Sequence, residues 1–113
     1  AATAAEAEQY LRATLALRED FPEAWDRLGQ ALGHQGKFPE AEAAFARALK
    51  LRPRFTDAQV NLALIAAAAG RTNDTLDRLR AAASTDTNSV LAWTQLGRFL
   101  AQSGRTLKAA EAH

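Results

Sequence analysis

Cysteine and methionine are absent from the 113 residues, histidine occurs twice and proline three times. Without cysteine there is no disulfide, no thiolate metal site and no cysteine nucleophile. The two histidines, His34 and His113, lie far apart with no neighbouring ligand pattern, so no metal centre is expected and no cofactor is implied. No serine or threonine stands in a context that would activate it, and no glycine-rich phosphate loop occurs, so the chain is not expected to be an enzyme. An excess of one charge is also missing. Fourteen basic and 13 acidic side chains leave a net charge of +1, which gives no general attraction to nucleic acid or to anionic membranes. The longest apolar-rich stretch, residues 62–69, is far too short to span a bilayer, so no membrane insertion is expected. The chain reads as soluble, with the cytoplasm expected ahead of the periplasm. It starts in mid-pattern at Ala1, as expected of a segment of a longer polypeptide.

What is abundant is alanine, 28 residues of it, the strongest helix former and one that lets helices approach closely. The pattern Trp25-x-x-Leu28-Gly29-x-x-Leu32-x-x-x-Gly36 recurs as Trp93-x-x-Leu96-Gly97-x-x-Leu100-x-x-x-Gly104, displaced by 68 positions. Midway between them Leu62, Ala63, Ala66 and Gly70 occupy the places of Leu28, Gly29, Leu32 and Gly36, so the period is 34. A repeat of this size is one supersecondary unit whose apolar face is buried only by its neighbours, and the stack displays one long surface for binding.

Local signals place the helices. The spacing predicts a helix from about Ala4 to Leu17, with Thr3 and Glu6 as a capping box and Ala7, Leu11 and Thr14 or Leu15 on one face. A break at Asp20-Phe21-Pro22 precedes a helix through Trp25, Leu28 and Leu32 that ends at Gly36. Its partner begins at Phe38-Pro39, carries Ala41, Phe45, Ala48 and Leu49 inward and stops before Pro53. The third pair is expected to start on a capping box of Thr56 and Gln59, to turn at Gly70 and to restart on Thr72 or Asn73. The last opens after Asn88-Ser89 and is expected to turn at Gly104, leaving only Thr106–His113 for its second helix.

Residues 22–55, with Trp25, Leu28, Gly29, Leu32, Gly36, Phe38, Ala41, Phe45, Ala48 and Pro53, resemble the tetratricopeptide repeat motif almost throughout. Residues 56–89 are a degenerate copy in the same register, with Gln59 in the tryptophan's place and Thr87 in the proline's. Residues 1–21 resemble the second helix of a preceding repeat and residues 90–113 a truncated one, so residues 1–113 form one domain, expected to come from a larger, bacterial protein. The resemblance implies an all-α, right-handed solenoid of stacked antiparallel helix-turn-helix repeats. A physical reason stands beside it: Gly29 and Gly97 leave room where the second helix crosses, and Ala41 and Ala109 are small on the facing side.

The family resemblance implies that the first helices line a concave groove that binds an extended peptide or a partner helix. Helical spacing from Leu28 then puts Glu23, Asp26, Arg27, Gln30 and His34 outward, followed by Asp57, Asn61, Leu64 and Ala68, and by Thr94, Gln95, Arg98 and Gln102. From these, Asp26, Arg27, Gln30, His34, Asn61, Leu64, Gln95 and Arg98 are the candidate protein- or peptide-binding residues of a scaffold or adaptor. The alternative is the substrate-recognition arm of a multidomain enzyme resembling the O-linked N-acetylglucosamine transferases, in which an asparagine recurs at the place of Arg27, Asn61 and Gln95. A co-chaperone clamp for a C-terminal carboxylate fits less well, because Asp26, Gln30 and Leu91 replace three of its donors and only Asn61 matches. The basic run Lys50-Leu51-Arg52-Pro53-Arg54 is too short to argue for RNA. Asn73-Asp74-Thr75 fits a glycosylation sequon but reads as a helix start. Acidic residues at positions 6, 8, 40 and 42 read as solvated helix starts favoured by the helix dipole. Since the Trp93 helix is left half covered, self-association through the terminal repeat faces, or fraying there, is expected.

Overall fold

The computed structural model describes residues 3–111, with side-chain surroundings given to residue 104. The expectations for Ala109 and His113 lie outside those surroundings. Six helices follow one another: α1 Ala4–Leu17, α2 Pro22–His34, α3 Phe38–Leu51, α4 Thr56–Ala68, α5 Thr72–Thr85 and α6 Val90–Glu111. No strand occurs among the described residues. Each helix packs on its sequence neighbours, and in addition α2 packs on α4 and α4 on α6. The result is an elongated stack of 55 × 28 × 24 Å, as a helical-repeat solenoid requires.

The tight turns inside each pair are set by glycine. Gly36 and Gly70 have φ of +76° and +82°, a left-handed conformation that a side chain disfavours. At the first turn the Lys37 N–H donates to Leu32 O and the Gly36 N–H to Gly33 O; at the second, Arg71 donates to Ala66 and Gly70 to Ala67. These paired bonds satisfy the last carbonyls of α2 and α4.

The turns between pairs are held by a side chain reaching back six residues. Trp25 Nε1 donates to Glu19 O at 2.7 Å, and Trp93 Nε1 donates to Thr87 O at 2.9 Å. Gln59, which replaces tryptophan in the degenerate repeat, donates from Nε2 to Pro53 O at 3.3 Å. The substitution therefore keeps a donor to the turn carbonyl while giving up the ring.

The core forms two clusters that both draw on α4: one holds Leu15, Leu28, Leu32, Phe45, Leu62 and Ile65, the other Val60, Leu79, Ala82, Ala92 and Leu96. Phe45 is 1 % exposed and lies against Gly29, where an added Cβ would stand 2.5 Å from its ring. It is thus the Phe45 ring, rather than Ala41, that uses the space left by Gly29. The matching space at Gly97 meets nothing within 4 Å among the described residues.

Three local expectations are corrected. Thr56 is the first residue of α4 and is buried, the N-cap is Phe55, and the Gln59 side chain is committed to Pro53, so no capping box forms there. Arg71, not Thr72 or Asn73, is the N-cap of α5, and no side chain caps it. Most importantly, α6 runs without a turn through Gly104 to Glu111. A glycine permits a left-handed turn without requiring one. Where the caps do hold, α1 starts on Thr3, whose Oγ1 accepts from the Glu6 N–H, and α6 starts with Ser89 Oγ accepting from the Ala92 N–H.

Glu8 is not the solvated helix start expected of it. Its carboxylate accepts from Arg12 at 2.8 Å, from Gln35 at 2.9 Å and from Lys37 at 3.1 Å, tying α1 to the turn between α2 and α3. Glu42 likewise pairs with Arg71 of the next repeat, whereas Glu23 pairs with Arg52 within one repeat.

Gly29→Ala is expected to lower stability by about 1–3 kcal/mol through overpacking against Phe45. Gly97→Ala is expected to raise it by up to about 1 kcal/mol, since only helix propensity changes there. Urea midpoints of the two variants measure the contrast, and equal shifts would remove Gly29 from its packing role. The Glu8 carboxyl, held down to about 2 from an ordinary 4.5 first by Arg12 and then by Gln35 and Lys37, gives a second test. A depressed acid contributes stability that is complete above its unfolded value and is lost as pH falls through the folded one. The stability of the parent chain is therefore expected to fall more steeply between pH 4.5 and about 2 than that of Glu8→Gln, read from denaturation at a series of pH values.

Candidate functional site

The alternate helices α2, α4 and α6 approach one another, whereas α1, α3 and α5 make no such approach among the described residues. The stack must therefore bend with its first helices on the inner side. Small residues permit the approach: Gly33 of α2 admits the end of Ile65 of α4, which lies 3.0 Å from where a Cβ would be. The inner wall is thus a surface of α2, α4 and α6, and its polar residues are the candidates for binding.

Arg27, Gln30 and His34 are exposed on α2, as expected, and Arg98 is exposed on α6. Leu64 is 38 % exposed, and Gln95 is half-buried. Asp26 departs from expectation. It is 5 % exposed and lies in the seam between α2 and α4, where its carboxylate accepts from Asn61 Nδ2 at 3.0 Å and from Gln30 Nε2 at 2.9 Å. Helical spacing alone put it outward, but the close approach of α4 covers it. Burial pushes its carboxyl above the ordinary carboxylate range, while the bonds from Asn61 and Gln30 act in the opposite direction. Asn61, in turn, spends an amide hydrogen on Asp26 and keeps its Oδ1 without a protein partner among the described residues. The structure joins Asp26, Gln30 and Asn61; it places no hydrogen bond between them and Gln95 or Arg98.

A second feature adjoins this wall. Between α1 and α2 lies a cleft of about 1090 Å³, lined on one side by Ala4, Ala7, Tyr10, Leu11 and Thr14 and on the other by Ala24, Arg27, Gln30, Ala31 and His34. The candidate list omitted the α1 residues, although Ala7, Leu11 and Thr14 stand 34 positions before the core residues Ala41, Phe45 and Ala48. That offset was the available signal.

Residues 22–55, which form α2 and α3, match the family model of the tetratricopeptide repeat. The chain is a helical-repeat domain with a tetratricopeptide repeat at residues 22–55. Its fold is similar to that of the TPR2B domain in the pHsp70 complex of yeast Sti1, at a TM-score of 0.81 and 19 % identity over 91 % of this chain and 84 % of that one. It is similar also to a mutant O-GlcNAc transferase of Thermobaculum terrenum, at 0.79 and 24 %, over 86 % of this chain but 19 % of the transferase. A third likeness is to YrrB, described as a TPR protein with an unusual peptide-binding site, at 0.72 and 26 % over 77 % of this chain and 45 % of that one. No curated protein matches the sequence.

In this helical-repeat domain each tryptophan is tied by its indole N–H to the preceding turn. Arg47 lies over the Trp25 ring, 5.7 Å from its centroid, a cation–π arrangement. Among the described residues no group of three or more histidine, aspartate or glutamate side chains is arranged to hold a metal ion. No described helix is long and apolar enough to cross a membrane.

Because Asn61 supports a buried carboxylate, Asn61→Ala is expected to cost about 1–3 kcal/mol of stability and to raise the Asp26 pKa further. This revises the expectation of a purely surface asparagine. Carbon-detected titration of the Asp26 carboxyl, alongside thermal denaturation, checks both parts; an unchanged pKa would mean that the Asn61 bond does not support the charge.

Proposed function

We propose that this domain is a non-catalytic scaffold or adaptor module that binds an extended peptide or a partner helix on the inner wall formed by α2, α4 and α6. The observation that carries the reading is the mixed polar strip on that wall. Arg27, Gln30 and His34 are accessible, and Asn61 is fixed by Asp26 so that its Oδ1 is left to accept a hydrogen bond. A fixed acceptor beside an exposed guanidinium suits a peptide backbone, which brings one donor and one acceptor per residue. Arg27, which has no acceptor, favours a ligand carbonyl or acidic side chain at that end. Gln95 and Arg98 extend the strip along α6, and Leu64 gives it an apolar contact between the two polar ends.

Complexes of similar folds with Hsp70 and the peptide-binding site of YrrB support a peptide ligand in general terms. They do not extend to a carboxylate clamp, because the Asp26 carboxylate sits where a ligand carboxylate would need a donor. The alternative, a substrate-recognition arm of a glycosyltransferase, is supported by the likeness to the Thermobaculum enzyme; there Arg27, Asn61 and Gln95 form an incomplete ladder along the substrate backbone. The two readings share this wall and differ in the domain attached to it.

Panning a phage-displayed random peptide library against the chain is expected to yield binders that Arg27→Glu weakens by about 1–2 kcal/mol. Arg80→Glu on the outer surface should leave them unaffected, and a generic RNA pool at moderate salt should not bind. Peptides lost with Arg80→Glu and indifferent to Arg27→Glu would move the site to the convex face.

A further inference from the structure

On the outer surface, helices α1 and α3 do not approach each other, and a cavity of about 520 Å³ lies between them. Its walls include Arg12 of α1 and Glu40, Ala43 and Arg47 of α3, with Trp25 of α2 beneath and Glu19 of the α1–α2 turn completing the lining. A groove between two second helices, over the first helix of the repeat, belongs to the body of the stack and not to its end. The lining holds two pairs of opposite charge at the same offset of 28 positions, Arg12 with Glu40 and Glu19 with Arg47. The first pair closes, at 3.6 Å. The second forms no ion pair, and Arg47 is held instead over the Trp25 ring, with its Nε buried and without a hydrogen-bond partner among the described residues. Trp25 also pins the backbone of Glu19, whose carbonyl accepts from the indole N–H at 2.7 Å. One indole therefore fixes a cation on one wall and an acid-bearing turn beside it, with open space in the groove between them. Thirty-four positions on, Pro53, Gln59 and Ala81 replace Glu19, Trp25 and Arg47, so all three are missing together from the next groove. The arrangement is particular to this repeat and is not a requirement of stacking.

We propose that this outer groove binds an extended peptide segment of a partner protein, with one backbone amide spanning Arg47 and Glu19. A trans peptide unit is planar and carries its N–H and its C=O on opposite edges. Laid along the groove, it offers the C=O to the Arg47 guanidinium, which only donates, and the N–H to the Glu19 carboxylate, which only accepts. Hydrogen bonds to ionised groups are stronger than neutral ones, so both walls contribute to holding the segment. A carboxylate in the groove would satisfy Arg47 but be repelled by Glu19 and Glu40, and an ammonium would be repelled by Arg12 and Arg47. The amide suits both signs, and an adjoining apolar side chain rests on Trp25. A cavity of about 520 Å³ is within the ordinary range of ligand pockets. The groove is separate from the wall of α2, α4 and α6, and the proposal stands independently of peptide binding there.

Peptides selected on the parent chain from a phage-displayed random library, and then synthesised singly, are the probe. Those bound in the groove should shift the indole N–H resonance of Trp25, leave that of Trp93 in place and keep their affinity in Arg27→Glu. Ala43→Arg fills the groove from an exposed position and should weaken them by about tenfold or more, with unchanged helical circular dichroism. Arg47→Gln should weaken them as well, and Ala43→Arg keeps the test decisive should Arg47→Gln lose its fold. Methylating one backbone nitrogen of the peptide should lower affinity for the parent chain and have no further effect on Glu19→Gln, because both changes remove the same hydrogen bond. A selected set in which no peptide responds to Ala43→Arg would overturn the proposal. So would groove-bound peptides indifferent to methylation at every backbone nitrogen, which marks recognition through a side chain, or a methylation loss that persists in full in Glu19→Gln.

Discussion

The Phe45 ring lying against Gly29 is the contact on which the rest of the stack depends. It sets how closely α3 approaches α2, and that separation lets Leu28 and Leu32 disappear from solvent. Burying a side chain of this size contributes about 1.5–3 kcal/mol, so one residue without a side chain makes several such burials possible at once. Helix α4 then packs on α3 and reaches past it to α2, where Gly33 again supplies the space. Every later helix inherits its position from this crossing, as nearest-neighbour stacking requires. At α6 the same glycine stands at Gly97, with no atom within 4 Å of an added Cβ among the described residues.

Two carboxylates show how differently the stack treats charge. Glu8 sits at an edge among Arg12, Gln35 and Lys37, and its ionised form is strongly favoured. Asp26 lies in the seam between two first helices, with only amide donors, and its ionised form is opposed by burial. The first works as a tie between repeats. The second accepts from Gln30 and Asn61 and so orients the Asn61 amide at the inner wall.

Much of the fold was legible because its determinants are local and periodic. The 34-residue offset located α2, α3 and α6, and glycines 36 and 70 ended helices where a left-handed residue was needed. Composition gave an all-helical chain for a local reason as well, alanine being the best helix former. The degenerate repeat was readable only in register, since Gln59 preserves a hydrogen bond while abandoning the aromatic ring that marks the motif. The candidate site was less legible. Arg27, Gln30, His34 and Arg98 followed from helical spacing alone, but Asp26 is covered by another helix 35 residues away at Asn61, and spacing along one helix carries no information about its neighbour.

One tripeptide separates what the sequence determined from what the tertiary structure decided. Gly-Arg-Thr occurs at residues 70–72 and again at 104–106, each time eleven positions after the residue in the tryptophan's place, Gln59 and Trp93. The sequence by itself determined the period, the helical content and the identity of the residues that face one another across each hairpin. At Gly70 the chain turns back, and α5 buries Leu79, Ala82 and Ala83 on its neighbours. At Gly104 the same three residues continue as helix. A glycine permits a left-handed turn but does not require it. The energy that selects the turn comes from the face which the following helix can bury, and that is a property of the packed stack rather than of the tripeptide.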